Sequence, residues 1–356
     1  VEVKLLDKGQ VVASAKGVQG KELRLAVQNP TLWDTSNPYL YDMKVSLTKD
    51  GKVVDDVKSY TAFRKISSKR DANGIMRMQL NNKNLFQYGP LDQGWWPDGL
   101  YTAPTDEALL YDIIKTKDWG FNMIRKHVKV EPARWYYHCD KEGILVWQDM
   151  PSGDMGNQWA PHTYNGGTDK ERSSASIANY YQEWKEIMDL CVSHPSVVVW
   201  VPFNEAWGQF DTEKVAEWTK NYDPSRLVNP ASGGNHRACG DILDLHNYPG
   251  PSMFLFDPQR VTVLGEYGGI GLPLENHLWW NKRNWGYVQF KNSDEVTAEY
   301  VKYANELKEM VDRGFSAAVY TQTTDVEGEV NGLMTYDRKE IKINEAAVKK
   351  ANQAVI

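Results

Sequence analysis

Hydrophobic and polar residues alternate along residues 1–66. Val1-Glu2-Val3-Lys4-Leu5, Glu22-Leu23-Arg24-Leu25-Ala26-Val27 and Tyr41-Asp42-Met43-Lys44-Val45-Ser46-Leu47 each show period two, which predicts half-buried strands. Asp7-Lys8-Gly9, Asn29-Pro30, Ser36-Asn37-Pro38 and Lys49-Asp50-Gly51 supply the turns, and Asp50-Gly51 marks a hairpin between Met43–Leu47 and Val53–Val57. Four or five short strands of this kind suit a small immunoglobulin-like β-sandwich with too little chain for seven strands. From about residue 74 the rhythm becomes strand and helix in alternation. Eight apolar runs read as strands: Asn84–Tyr88, Phe121–Arg125, Ile144–Gln148, Val197–Phe203, Leu227–Ala231, Ile242–Leu245, Val261–Glu266 and Ala317–Thr321. Helical periodicity fills Ala108–Asp118, Pro132–Glu142, Ile177–Ser193, Thr212–Asn221, Glu295–Asp312 and Asn344–Val355, while the links after the fifth and sixth strands are too short for long helices. Eight strands in order, mostly apolar throughout, fit a (β/α)8 barrel over residues 67–356.

In such a barrel the C-terminal end of every strand opens on one mouth. Those ends carry Tyr88 and Asp92, Arg125 and His127, Trp147 and Asp149, Asn204 and Glu205, His246 and Tyr248, Glu266, and Tyr320 and Gln322. Glu205 and Glu266 each close a run of strand-forming residues, where a charge is costly unless paired, wet or useful. Two carboxylates across a cleft are the minimal equipment for cleaving a glycosidic bond.

Composition narrows the partners. A formal charge of −6 with scattered Lys and Arg gives no basic field for nucleic acid. No apolar run approaches the roughly 20 residues of a membrane helix. Cys139, Cys191 and Cys239 show no disulfide spacing, and His138 beside Cys139 has no second ligand pair, so no zinc site is expected there. Ser232-Gly233-Gly234 lacks the Lys of a phosphate loop. Fourteen Trp and nineteen Tyr suit both a core and sugar stacking; Trp95-Trp96 and Trp279-Trp280, in loop-like stretches, could serve either.

Local strings then point to a family. Leu32-Trp33-Asp34-Thr35-Ser36-Asn37-Pro38-Tyr39-Leu40-Tyr41, Ala62-Phe63-Arg64-Lys65-Ile66, Gly120-Phe121-Asn122-Met123-Ile124-Arg125, Val146-Trp147-Gln148, His194-Pro195-Ser196-Val197, Phe203-Asn204-Glu205 and Gly265-Glu266-Tyr267-Gly268 occur in the order found in glycoside hydrolase family 2. The chain resembles the end of that family's immunoglobulin-like domain and its whole barrel. The jelly-roll domain that precedes them has no counterpart here, and family sites can borrow groups from it.

The resemblance implies a retaining exo-β-glycosidase that needs no cofactor and acts on an oligosaccharide or glycoside. Glu205 matches the acid/base, expected to have a raised pKa through burial and a negative neighbour. Glu266 matches the nucleophile, with Arg125 placed to hold it ionised. Asn204 matches the residue that holds the sugar 2-hydroxyl, and Tyr248 a tyrosine bonded to the nucleophile. His127, His246, Asp92 and Trp147 are expected as pocket residues, the two histidines alternatively as hydrogen-bonded wall groups without a catalytic part and Trp147 alternatively as core. Family glucuronidases carry Asn-x-Lys-Gly after strand eight; here the stretch reads Glu329-Val330-Asn331-Gly332-Leu333-Met334, which disfavours a carboxylated sugar. β-Galactosidase is the leading expectation, with β-mannosidase, another exo-glycosidase of the family, or a non-catalytic sugar-binding protein as alternatives. Export to the periplasm or medium, frequent among such proteins in polysaccharide-degrading bacteria, is the expected setting.

Overall fold

The computed structural model describes residues 1–356. The N-terminal region forms one antiparallel sheet from β1 (Glu2–Asp7), β2 (Gln10–Lys16), β3 (Tyr41–Lys49) and β4 (Lys52–Thr61), in the order β2-β1-β3-β4. The expected partial sandwich is thus represented by one sheet. Residues 22–27 are not a strand. Leu23, Leu25 and Val27 do turn inward while Arg24 and Ala26 face solvent, but no neighbouring strand pairs with their backbone. Period two describes which side chains are covered; a strand also requires a hydrogen-bonded partner.

A three-stranded sheet follows, β5 (Ile66–Arg70), β6 (Met76–Leu80) and β7 (Lys83–Asn84). Met78 and Leu80 of β6 enter the core inside the barrel, and Arg77 Nη1 donates to the carbonyls of Val311 (2.9 Å) and Phe315 (2.6 Å). This sheet plugs the end of the barrel opposite the mouth.

The barrel strands are β8 (Gln87–Asp92), β9 (Met123–Lys126), β10 (Leu145–Asp149), β11 (Val197–Val201), β12 (Leu227–Val228), β13 (Ile242–Asn247), β14 (Val261–Gly268) and, after the short β15 (Ile270–Gly271) and β16 (Val288–Gln289), β17 (Phe315–Thr321). All neighbours in the order β12-β11-β10-β9-β8-β17-β14-β13 are parallel. The seam between β12 and β13 is bridged by Asp241 N–H to the Val228 carbonyl (2.8 Å) and Gly233 N–H to that of Asp244 (3.1 Å). Helices α1 (Asp106–Asp118), α2 (Ala133–Glu142), α3 (Ser174–Cys191), α4 (Thr212–Tyr222), α5 (Ser293–Arg313) and α6 (Glu345–Val355) surround it, none of them after β12 or β13. The first strand begins three residues later than its apolar run suggests, because Asn84 pairs with Gln79 in the plug.

Two family-like strings bind the N-terminal region to the barrel. The indole of Trp33 is fully buried and its Nε1–H donates to the Asp140 carbonyl at 2.7 Å; Arg64 donates to the carbonyls of Pro195 and Val197, both at 3.1 Å. Trp33→Ala is therefore expected to lower unfolding free energy by about 3–5 kcal/mol through the cavity left behind. Urea titration of wild type and variant measures it, and a loss under about 1 kcal/mol would show that this contact is not part of the core.

Candidate active site

Period two sorts each barrel strand into a core-facing and a helix-facing set. Leu145, Trp147 and Asp149 share the inner face of β10, so Asp149 reaches the mouth while Trp147 lies one layer below it. Met123 and Arg125 share that face of β9. The Arg125 guanidinium has no exposed surface and gathers the site. Its Nε and Nη2 contact the two oxygens of Asp149 at 3.1 and 2.9 Å, Nη2 donates to Asn204 Oδ1 at 2.7 Å, and Nη1 to Glu266 Oε1 at 3.1 Å. Tyr248 donates to the other oxygen of Glu266 at 2.7 Å.

Glu205 lies just beyond β11 on a backbone of positive φ, shared with Ala206 (46° and 61°) and pinned by Glu205 N–H to the Ser232 carbonyl at 2.9 Å. Such conformations cost energy in L-residues and persist where surrounding structure holds them. The turn aims Glu205 at His246, whose Nδ1 is 2.9 Å from Glu205 Oε1 and 3.5 Å from Glu266 Oε2. One oxygen of each glutamate and a ring nitrogen of His246 all lie within 4.8 Å of one another. Carboxyls whose nearest oxygens come this close suit the arrangement in which one attacks while the other moves a proton, rather than the roughly 6.5–9.5 Å spacing that admits an intervening water. Gly265 permits the arrangement, since a Cβ there would stand 2.0 Å from Asp244 Oδ1.

Two family models match this chain: glycosyl hydrolases family 2 over residues 2–64, and the TIM barrel domain of glycosyl hydrolases family 2 over residues 79–248. The chain belongs to glycosyl hydrolase family 2. Among its family 2 relatives, a β-galactosidase of Halalkalibacterium halodurans is 25% identical over 93% of this chain and 33% of its own length. Another from Vibrio vulnificus is 27% identical over 62% and 20%. The chain thus spans about a third or less of these curated relatives. In fold it resembles the β-glucuronidase of Ruminococcus gnavus solved with uronic isofagomine (TM-score 0.76, 19% identity, 99% of this chain and 63% of that one). The β-D-glucuronidase of Dictyoglomus thermophilum is similar (TM-score 0.75, 17% identity, 98% and 63%).

Against the family 2 expectations, the structure brings Glu205, Glu266, Asn204, Arg125, Tyr248, His246 and His127 to one mouth. Asn204 Nδ2 is buried and has no protein partner, a free donor beside the two glutamates. His127 packs against Trp207 and its Nδ1 is 3.1 Å from Asp149 Oδ2. Two residues are corrected. Trp147 is fully buried in the barrel core, its Nε1–H bonded to Gln87, and does not line the pocket. Asp92 is also withdrawn: one oxygen accepts from Gly94 N–H and the other from Lys126 at 2.7 Å, within a buried network that includes Glu131.

The expected raised pKa of Glu205 is corrected as well. Burial pushes its carboxyl up, but the hydrogen bond and charge of His246, with His127 and Arg125 behind, hold it below the usual carboxylate value. Conversely, burial opposes charge on His246, while Glu266, Glu205 and Asp244 raise it above the ordinary imidazole value.

Sequence reading missed Ser232, Asp244 and Tyr287. Tyr287 stacks on Tyr248 with ring centroids 3.5 Å apart, and Trp285 meets its edge. Their segment is irregular, with no periodicity to place it. Trp95 and Trp279 join Tyr101 and Tyr336 in one aromatic cluster, while Trp96 is buried beneath the Arg338 guanidinium. Beside the Trp285 segment, which bridges to Glu329, Gln93 donates to Gln322 (2.8 Å) and Glu329 (3.3 Å), Gln322 to Asn331 (2.8 Å), and Asn331 to Glu329 (2.9 Å). This closed ring fixes the Glu329 carboxylate, whose pKa burial and Glu266 raise.

Proposed function

We propose that this chain is the catalytic part of a retaining exo-β-glycosidase that removes a terminal neutral sugar, with β-galactosides its foremost substrates. The observation that carries the reading is the close facing of Glu205 and Glu266, of which Arg125 and Tyr248 bond only Glu266. Glu266 attacks the anomeric carbon while Glu205 protonates the leaving oxygen; water then releases the sugar with Glu205 as base. The free Nδ2 of Asn204 suits the sugar 2-hydroxyl, a contact that strengthens toward the transition state.

The choice of a neutral sugar rests on Glu329. A fixed carboxylate in the same mouth as Glu266 accepts hydrogen bonds from hydroxyls and repels a uronate, since like charges brought together cost several kcal/mol. The curated relatives named above are β-galactosidases, which favours that sugar. The glucuronidase names among the structural neighbours favour a second reading, which Glu329 opposes.

The test is a panel of 4-nitrophenyl β-galactoside, β-mannoside, β-glucoside and β-glucuronide offered to the full-length gene product. The galactoside is expected to turn over with retention, seen as the β-anomer first in the NMR spectrum. The glucuronide should lag by about 100-fold or more in kcat/KM, the size set by an unpaired charge in the site. A glucuronide preference would overturn the sugar assignment, and release of the α-anomer would overturn the mechanism.

A further inference from the structure

His246 has two hydrogen-bond partners in addition to the two glutamates' charge, and together they fix where a proton sits. Ser232 Oγ is 2.5 Å from Asp244 Oδ2, an oxygen that also accepts from Asn229 Nδ2 at 2.6 Å. A carboxylate only accepts, so the single hydroxyl proton of Ser232 points at Asp244. Ser232 Oγ therefore presents a lone pair to His246 Nε2, 2.8 Å away, and that nitrogen donates. On the other edge, Nδ1 faces Glu205 Oε1 at 2.9 Å and, with Glu205 ionised, donates too. An imidazole that donates from both nitrogens is the cation. Arg125 Nη1, 3.4 Å from Nε2, is itself a donor that could bond only an unprotonated Nε2; this is the longer of the two contacts at that nitrogen, and its charge opposes the imidazolium. Glu205, Glu266 and Asp244 surround the ring and outweigh it, while His127 acts on Glu205 and His236 remains neutral, its pKa lowered to about 4 by burial. The ring lies close against Gly233, where a Cβ would stand 2.1 Å from it.

We propose that His246 holds the catalytic proton in the resting site and passes it to Glu205 across their hydrogen bond when substrate binds. This rests on the glycosidase reading above and adds a proton-holding partner to the acid/base. The Nδ1–H bond of His246 breaks as an O–H bond forms on Glu205, leaving a neutral imidazole. Glu205 then gives that proton to the glycosidic oxygen as its bond to the anomeric carbon breaks and a Glu266 oxygen bonds to the same carbon. In the second half, water loses a proton to Glu205 as its oxygen displaces Glu266, and the proton returns to His246. The low resting pKa of Glu205 thereby becomes compatible with its acid role. His246 is a positioning residue that acts through Glu205 and need not touch the sugar.

The experiment compares wild type, His246→Gln and Ser232→Ala of the full chain on phenyl, 4-nitrophenyl and 2,4-dinitrophenyl β-glycosides of the sugar that wild type hydrolyses. Gln keeps a donor toward Glu205 but carries no transferable proton. For His246→Gln, kcat/KM on the phenyl glycoside is expected to fall by about 100-fold or more, the usual scale of lost acid catalysis. On the dinitrophenyl glycoside, whose leaving group needs no proton, the loss should stay under about 10-fold. The alkaline limb of the kcat/KM profile should move to lower pH by about one unit, since a carboxyl then holds the proton in place of an imidazole. Ser232→Ala should shift that limb in the same direction by less, and serves if the histidine variant does not fold. Equal losses on all three leaving groups, with the limb unmoved in either variant, would overturn the proposal. A wild type that hydrolyses none of the glycosides overturns the glycosidase reading itself, a separate outcome.

Discussion

Glu266→Gln is expected to reduce kcat on an activated aryl β-glycoside by about 10⁴-fold or more, the scale seen when a covalent nucleophile is removed. The amide has the size of the carboxylate, so the fold is preserved; what disappears is an oxygen able to form and break a glycosyl ester. Two contacts report the same loss. Arg125 Nη1 and the Tyr248 hydroxyl are both directed at the Glu266 carboxylate, and an amide accepts from only one of its two positions. Steady-state release of 2,4-dinitrophenol measures the effect. A smaller variant, Glu266→Gly, leaves space at the anomeric carbon; with added azide it should yield the glycosyl azide of inverted configuration. An unchanged rate in Glu266→Gln would remove the nucleophile from the proposal.

Arg125→Met should cost stability as well as activity. The methionine keeps the apolar stem but removes the only cation bonded to both Asp149 and Glu266, whose side chains are 1% and 6% exposed. Leaving buried charge uncompensated costs about 3–5 kcal/mol. The pH dependence follows from Asp149. Burial pushes its carboxyl up, but Arg125 and His127 hold it below the ordinary value in the folded protein. In wild type that depressed pKa stabilises the fold above the unfolded carboxylate pKa, and the gain is lost as pH falls through the folded value. In the variant burial acts with less opposition, so the gap between wild type and variant should narrow on acidification. Urea titrations at pH 7 and pH 5 test this; a gap that widens at pH 5 would contradict it. Activity should fall with stability, because Asn204 loses the donor that orients its amide.

Much of this architecture could be read from the residues. The eight barrel strands are apolar because both faces are covered, and that pattern survives without knowledge of partners. The absence of long helices after β12 and β13 could be read from the short links there. Residues 22–27 show the opposite case: their alternation identifies the covered side chains, yet pairing depends on a neighbour that local sequence does not contain. Trp147 illustrates a register problem. A strand end is visible in sequence, but whether a residue belongs to the mouth or to the layer beneath depends on the depth at which the barrel is cut.

The glutamates were legible because each ends an apolar run within a family-like string. The proton arrangement was not. It depends on Ser232, which follows a strand of only two residues, and on Asp244, two positions before His246 on β13. Sequence shows that Glu205 is near a buried end and a negative neighbour, which argues for a raised pKa. It does not show that a turn of positive φ brings an imidazole to within a hydrogen bond, and that contact reverses the direction.

The ring of Gln93, Gln322, Asn331 and Glu329 joins the loop after the first barrel strand to the segments after the eighth. Each of its three amides donates within the ring, and the bonds lead to one acidic side chain. Exchanging Glu329 alone for a cationic residue, to admit a uronate, would set that cation against the amide donors of Gln93 and Asn331. A change of sugar preference is therefore not a one-letter edit. It must proceed through paired replacements on two loops far apart in the chain, which makes the proposed selectivity resistant to drift and directs any redesign toward libraries that vary positions 93, 322, 329 and 331 together.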